Sequence, residues 1–301
     1  MSALSRTALA GLAAAMLAGC AVSPEADQPQ APLLGMYGTD AHLTPSKPDR
    51  TLRYARHPRG FADLRVPAGK GPFPLAVIFH GGCWKAGIAD RNYMAPLATR
   101  WQQQGIATLN VDYREVGDGG GWPGSFADWA AAEDMIRDLA GDPRIDLKQL
   151  TFVGHSAGAL PAQWLATSQG PDGPVGARAP AMRANAIVFD GPADLARDQA
   201  PFDALCEFSA VAPFMGGTAA EVPDRYAALS PLGHPSRLRR LEFVQARLPS
   251  PDVDALAALR EAGVEVAVTL NPQASHFDVI TPGAAAYDEV EPRVLATLRQ
   301  Q

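Results

Sequence analysis

Cysteine is scarce in this 301-residue chain. There are three, with no Cys-x-x-Cys pair and no His/Cys cluster, so the usual ligand spacings of a metal site are missing and no cofactor is expected. Basic residues are not in excess either. Lys and Arg number 26 against 32 Asp and Glu, the formal net charge is −6, and no basic stripe is visible, which excludes nucleic acid as an expected partner. The apolar run Thr7 to Ala18 falls short of the ~20 residues that a spanning helix requires. Internal repeats and a second domain boundary are also lacking, so beyond its N-terminal part the chain has room for one large domain with a substantial core.

What is present begins with an address. Arg6 followed by the apolar run reads as an export signal over residues 1–19. Its end, Leu17-Ala18-Gly19-Cys20, resembles the bacterial lipobox, which implies cleavage before Cys20 and acylation of that cysteine. An ordinary cleaved signal with an incidental Cys20 is the alternative. Two or more acyl chains anchor a protein stably where one does not, so the expectation is a lipid-anchored envelope protein. Ala21 favours the outer membrane, facing the periplasm. Residues 20–48, rich in Pro, Ala and polar side chains, read as the lipidated cysteine and its tether, and residues 49–301 as the catalytic domain. In an oxidising compartment Cys83 and Cys206 either pair or stay buried as thiols.

Short apolar runs alternate with longer helical patterns, as in a parallel sheet with crossover helices. The strands expected are 75–79, 107–111, 150–154, 186–190, 241–245 and 264–270; the helices are 90–104, 125–140 with Ser125 as N-cap, 157–168 and 252–262. Most of these strands are continuously apolar, as a sheet covered on both faces requires. The architecture is a mostly parallel, doubly wound α/β sheet. In such sheets ligands sit beyond the carboxyl ends of the strands.

Gly154-His155-Ser156-Ala157-Gly158 fits G-x-S-x-G, and it stands between an apolar strand and an alanine-rich helix, as a nucleophile elbow must. The three fixed positions alone would arise by chance in roughly one chain in ten of this length. His80-Gly81-Gly82-Cys83-Trp84, directly after the strand 75–79, strengthens the reading: its glycines allow backbone N–H groups to approach a developing oxyanion. Gly81 or Gly82, with Ala157, is the expected oxyanion hole; a plain turn at Gly81-Gly82 with a packed His80 is the alternative. A serine hydroxyl needs an adjacent base, and in this order of elements the histidine comes last. Of the two histidines that follow Ser156, His276 stands in a short loop after the last strand, whereas His234 lies in a proline-rich stretch with no strand before it. His276 is the candidate base.

With these motifs in place the chain resembles the HGGxW α/β-hydrolases, the kynurenine formamidase-like and BD-FAE-like serine esterases. The carriers are FHGGCW (79–84), VDYREVGDGGGWPGSFAD (111–128), VGHSAG (153–158), FMGG (214–217), RYAALSPL (225–232), LREAGVEV (259–266) and SHFDV (275–279). The resemblance implies an α/β-hydrolase fold from about residue 50 to the end, Ser156 and His276 as working parts, and Trp84 as a wall of the acyl pocket. It breaks at the acid. The group's usual position, after the strand 241–245 and before a Ser-Pro pair, holds Pro249. Asp252 is the first replacement considered, with Asp190 at the end of the preceding strand and Asp254 as alternatives; Asp252 and Asp254 could equally just favour the start of the following helix.

Residues 196–224, with Phe202, Leu205, Phe208, Phe214 and Met215, interrupt the alternation and read as a cap whose apolar side chains either line a pocket or simply pack. The glycine-rich loop 119–123 lacks the following Lys and helix of a phosphate cradle, and Trp101, Trp129 and Trp164 are expected in the core. The implied activity is hydrolysis of small esters by a carboxylesterase mechanism. A formamide of kynurenine type is the other enzymatic substrate class, and a non-catalytic lipoprotein on a hydrolase fold is the competing class.

Overall fold

A computed structural model describes residues 43–167, 182–230 and 235–300. The expected signal segment, Cys20, most of the expected tether and His234 lie outside the described residues. The last residues assigned to the tether are held by the domain. Within 43–48, the Ser46 backbone N–H donates to Thr99 Oγ1 at 2.8 Å, its hydroxyl donates to Gln102 Oε1 at 2.7 Å, and its carbonyl accepts from Arg65 Nε at 3.1 Å. Polar side chains make this segment read as free chain, yet they are what pin it.

Among the described residues eight strands form a single sheet: β1 (Arg50–Arg53), β2 (Phe61–Arg65), β3 (Phe73–Phe79), β4 (Ala107–Val111), β5 (Ile145–His155), β6 (Ala184–Phe189), β7 (Leu238–Gln245) and β8 (Glu265–Leu270). Their spatial order is β1-β2-β4-β3-β5-β6-β7-β8. β3 to β8 run parallel to one another, and β1 and β2 join antiparallel at the edge beside β4. All six expected strands are present. β1 and β2 were not anticipated, because β1 is four residues long and mostly exposed and so lacks an apolar signal.

Among the described residues eight α-helices accompany the sheet: α1 (Ala95–Gln103), α2 (Gly124–Asp138), α3 (Ala159–Thr167), α4 (Leu195–Cys206), α5 (Val211–Met215), α6 (Pro223–Ala227), α7 (Val253–Glu261) and α8 (Ala285–Leu298). The core is divided by the sheet. α1 and α8 close one face, where Leu97, Trp101, Tyr287 and Val294 meet Ile78, Val153 and Phe189. α2, α3, α7 and the cap helices α4 and α5 close the other, around Trp129, Trp164, Phe202 and Phe214. Burying a large apolar side chain of this kind contributes roughly 1.5–3 kcal/mol over leaving it exposed. α8 carries Pro292 in its interior, which hides a helical pattern of buried Tyr287, Val290, Val294 and Leu298. Ser125 is not an N-cap: it lies inside α2, and its hydroxyl instead accepts from Gly121 N at 2.9 Å and donates to Arg114 O at 2.5 Å, fastening the glycine-rich loop.

The register aligns the strand ends. Phe79 pairs with Gly154, His155 with Phe189, Phe189 with Val244, and Gln245 with Leu270. The chain leaves β3 toward β4 on one side and returns to β5 on the other, so the switch point falls between β3 and β5, where such sheets bind ligands. Gly81 and Ser156 follow those two strands.

Candidate active site

Ser156 stands where β5 ends and a single 3-10 turn, Ser156–Gly158, leads into α3. Its φ of 56° is left-handed, a conformation a non-glycine residue holds only when its surroundings enforce it. The enforcement is visible in the neighbours. A β-carbon on Gly154 would stand 1.9 Å from the Gly158 carbonyl oxygen, so only glycine permits so sharp a turn. The serine is 3% exposed and projects from the elbow beside two loops. A β-carbon on Gly81 would meet Ser156 Cβ at 3.0 Å, and one on Gly191 would meet Ser156 O at 2.7 Å. The loops after β3 and β6 therefore both close on the elbow.

The loop after β6 carries a carboxylate that meets His276. Asp190 is fully buried with a φ of 41°, and its Oδ2 accepts from His276 Nδ1 at 2.7 Å. Its Oδ1 accepts from the backbone amides of Ala246, Arg247 and Leu248, each at 2.9 Å. Burial works to raise its pKa, but the hydrogen bond and charge of His276 and the Leu248 and Ala246 amides outweigh it and hold the carboxyl below the ordinary aspartate value. The ionised carboxylate accepts a hydrogen bond from Nδ1–H, which leaves Nε2 of His276 as the bare acceptor.

The first expectation for the acid is thus corrected. Asp252 does not reach His276; it is the N-cap of α7, its Oδ1 accepting from Asp254 N and Ala255 N at 3.0 Å each. Asp190, the alternative, occupies the position. The stretch after β7, where Pro249 replaces the usual acid, turns its amides onto the carboxylate of the neighbouring strand instead. Gln245 fastens the two together, Nε2 donating to Gly191 O at 2.9 Å and Pro249 O at 3.3 Å.

His276 lies close to the elbow. Its ring centroid is 4.4 Å from that of His155, the residue before the serine, and His155 Nε2 is 2.9 Å from His276 O. Among the described residues no hydrogen bond joins Ser156 Oγ to the His276 ring.

The loop expected to hold an oxyanion follows β3. Gly82, Cys83 and Trp84 have successive positive φ values of 111°, 54° and 52°, folding the chain into a tight turn closed by Lys85 N donating to Gly82 O at 3.0 Å. His80 packs beneath it, stacked on Tyr113 with centroids 4.3 Å apart, with Nδ1 donating to Gly81 O at 2.7 Å. Deeper still, Arg59 bonds Glu115 at 2.6 Å, yet burial pushes the Glu115 carboxyl up to about 9. Cys83 and Cys206 pair as a disulfide, with Cα atoms 6.0 Å apart, tying the loop to the end of α4.

Trp84 departs from its expected role. Its side chain has no solvent-accessible area, stacks on Phe214 at a centroid distance of 4.5 Å and packs tilted against Phe202 at 4.8 Å. A ring with no room for even one water beside it is no open pocket wall; it is the pillar on which the cap rests. Phe202, Phe214 and Met215 are spent on the same packing. A cavity of about 300 Å³ between α4 and α7, lined by Ala193, Arg197, Phe243, Pro251 and Leu256 among others, touches none of Ser156, Asp190 and His276.

The BD-FAE family model matches residues 62–237, more than half of the chain. The chain belongs to the BD-FAE family. This is a family of α/β-hydrolase-fold esterases, and the fold described above agrees. No curated protein matches the sequence. Among solved structures, a bifunctional GH43-CE protein from Bacteroides eggerthii is 19% identical with a TM-score of 0.63, over 82% of this chain but only 37% of its own length. A truncated carbohydrate esterase from gut microbiota is 17% identical with a TM-score of 0.63, over 85% of this chain and 98% of its own. Esterase B from Lactobacillus rhamnosis, inhibited by a tributyrin phosphonate, is 21% identical with a TM-score of 0.61, over 85% of this chain and 89% of its own. At these identities the likeness is one of fold.

Proposed function

We propose that this BD-FAE member is a serine carboxylic ester hydrolase acting on small esters through Ser156, His276 and Asp190. The observation that carries the reading is the left-handed Ser156 at the elbow, beside a histidine whose Nδ1 is held by a buried carboxylate at 2.7 Å. His276 Nε2 takes the proton of Ser156 Oγ as the oxygen attacks the ester carbonyl. The N–H groups of Ala157 and of Gly81 or Gly82 receive the developing oxyanion. The imidazolium then protonates the leaving alkoxide, and a water deprotonated by the same ring releases the acid and restores the serine. Asp190 keeps the ring in the working tautomer and stabilises its charged form. A short acyl group fits both the packed cap and the C4 inhibitor of the Lactobacillus esterase.

The test is hydrolysis of p-nitrophenyl acetate and butyrate by the wild type and by Ser156→Ala. Turnover that Ser156→Ala abolishes supports the reading, and absence of any mutant-sensitive turnover leaves only a non-catalytic lipoprotein on this fold. Faster cleavage of an N-formyl anilide than of either ester would move the substrate class to formamides. The location proposed is the outer membrane, facing the periplasm, through acyl chains on Cys20; the sequence 17–20 supports it, and labelled palmitate that Cys20→Ala still incorporates would contradict it.

A further inference from the structure

The residue that precedes the nucleophile is unassigned in the mechanism above, yet its side chain is bonded to the backbone of the histidine base. His155 is fully buried at the end of β5. Its Nε2 stands 2.9 Å from the backbone oxygen of His276, 121 residues further along the chain. Its Nδ1 stands 2.6 Å from the hydroxyl of Tyr93, in the 3-10 turn Arg91–Met94 before α1. A β-carbon on Gly81 would lie 3.4 Å from that same Nδ1, so the ring also supports the oxyanion loop.

These partners settle the tautomer. A carbonyl oxygen only accepts, so the Nε2 proton must be present and donated to His276 O. Nδ1 is then bare and accepts from the Tyr93 hydroxyl. Burial, followed by the nearby charge of His276, lowers the pKa of His155 well below the ordinary histidine value and keeps this neutral form. The Tyr93 ring stacks on the imidazole at a centroid distance of 5.5 Å, and Phe277 closes the other approach at 5.7 Å.

The consequence is geometric. The Cα atoms of His155 and Ser156 are about 3.8 Å apart, across one trans peptide. One hydrogen bond from His155 therefore fixes the backbone of the general base relative to the elbow that carries the nucleophile, with no intervening element. Resting on the serine-hydrolase reading above, we propose that His155 is a positioning residue, a clamp that holds the His276 loop against the elbow, with Tyr93 fixing its ring orientation. It touches no reacting atom; it sets the distance over which the proton passes.

Three variants of the full chain test this: His155→Met, which fills the space without a donor; His155→Gln, whose Nε2 can still donate to His276 O; and Tyr93→Phe, which keeps the ring and removes the hydroxyl. Each is assayed for kcat and KM on p-nitrophenyl butyrate, for the rate of fluorophosphonate labelling, and for thermal midpoint. A displacement near 1 Å at a reacting pair costs on the order of 10²-fold, so His155→Met is expected to lower kcat and the labelling rate by about that factor with KM little changed. His155→Gln should recover most of the loss, and Tyr93→Phe should lower kcat with KM held. A folded His155→Met with wild-type kcat overturns the proposal, as does a Gln variant no better than Met, which would mark a packing role. If His155→Met fails to fold, Tyr93→Phe decides: unchanged kcat overturns the clamp and reduced kcat at constant KM supports it. A wild type that fluorophosphonate never labels at Ser156 sinks the hydrolase reading itself; a labelled wild type with an indifferent His155→Met sinks the clamp alone.

Discussion

Replacing Asp190 by Asn should change the chemistry of the site without changing its shape. Three backbone amides, from Ala246, Arg247 and Leu248, donate to Oδ1. An asparagine must present its carbonyl oxygen to those donors, because its NH₂ there would set donor against donor. The NH₂ is thereby forced into the place of Oδ2, 2.7 Å from His276 Nδ1. It can only donate to that nitrogen, so the ring moves its proton to Nε2 and loses the lone pair that accepts the Ser156 proton. In a serine-protease triad the same wrong-tautomer exchange costs about 10⁴ in kcat, or about 5.4 kcal/mol of transition-state stabilisation. We expect a loss of that order for Asp190→Asn on p-nitrophenyl butyrate, with the labelling rate at Ser156 falling in parallel. Asp252→Asn is the control: asparagine caps a helix about as well as aspartate, so kcat should stay within roughly twofold and stability within about 0.5 kcal/mol. An Asp190→Asn enzyme within tenfold of wild type, or an Asp252→Asn enzyme equally impaired, refutes the assignment of the acid.

The Cys83–Cys206 bridge spans 123 residues of sequence, and closing so long a loop in the unfolded chain is worth about 4–5 kcal/mol by loop entropy; urea denaturation with and without reductant should show a loss of that size, and a shift below about 1 kcal/mol would contradict it. Trp84→Leu should destabilise by roughly 2–4 kcal/mol through the cavity it leaves, while the relative kcat/KM for acetyl and butyryl esters stays nearly constant; a reversed chain-length preference would restore the ring to the acyl pocket. His155 titrates near pH 6.5 when unfolded and well below that when folded. Between those values the unfolded chain binds more protons, so stability falls as pH drops below about 6.5, by up to about 1.4 kcal/mol per pH unit, and is unaffected above it. From pH 7 to pH 5 the wild type should lose more stability than His155→Gln, and parallel losses would mean that the ring is not held neutral.

The sheet was legible because β3 to β7 are buried on both faces, and burial on two faces writes itself as an unbroken apolar run. β1 escaped because a short, mostly exposed edge strand leaves no such run, β2 because the buried but charged Asp63 and Arg65 interrupt its apolar residues, and α8 because of its internal proline. The placement of Ser156 at the strand-to-helix turn and of His276 in a loop after the last strand was readable from local motif and chain order. The acid was not, since what selects Asp190 over Asp252 is the direction of three backbone amides more than fifty residues away. Asp252 had a visible use of its own, as a helix cap. Trp84 misled for a related reason: HGGxW marks where the ring starts, but only Phe202 and Phe214 arriving from the cap decide that it is sealed. His155 stood in plain view inside the elbow motif. Its partners, Tyr93 and the His276 carbonyl, come from distant loops that no spacing rule connects.

The central claim is that Ser156 is made nucleophilic by His276. Treating the full chain with a fluorophosphonate, digesting it and locating the adduct by mass spectrometry tests that directly, with His276→Ala alongside. A single adduct on the peptide containing Ser156, formed at least about 10³-fold more slowly in His276→Ala, is the predicted result. An adduct on another residue, or equal labelling rates in the two proteins, would contradict it.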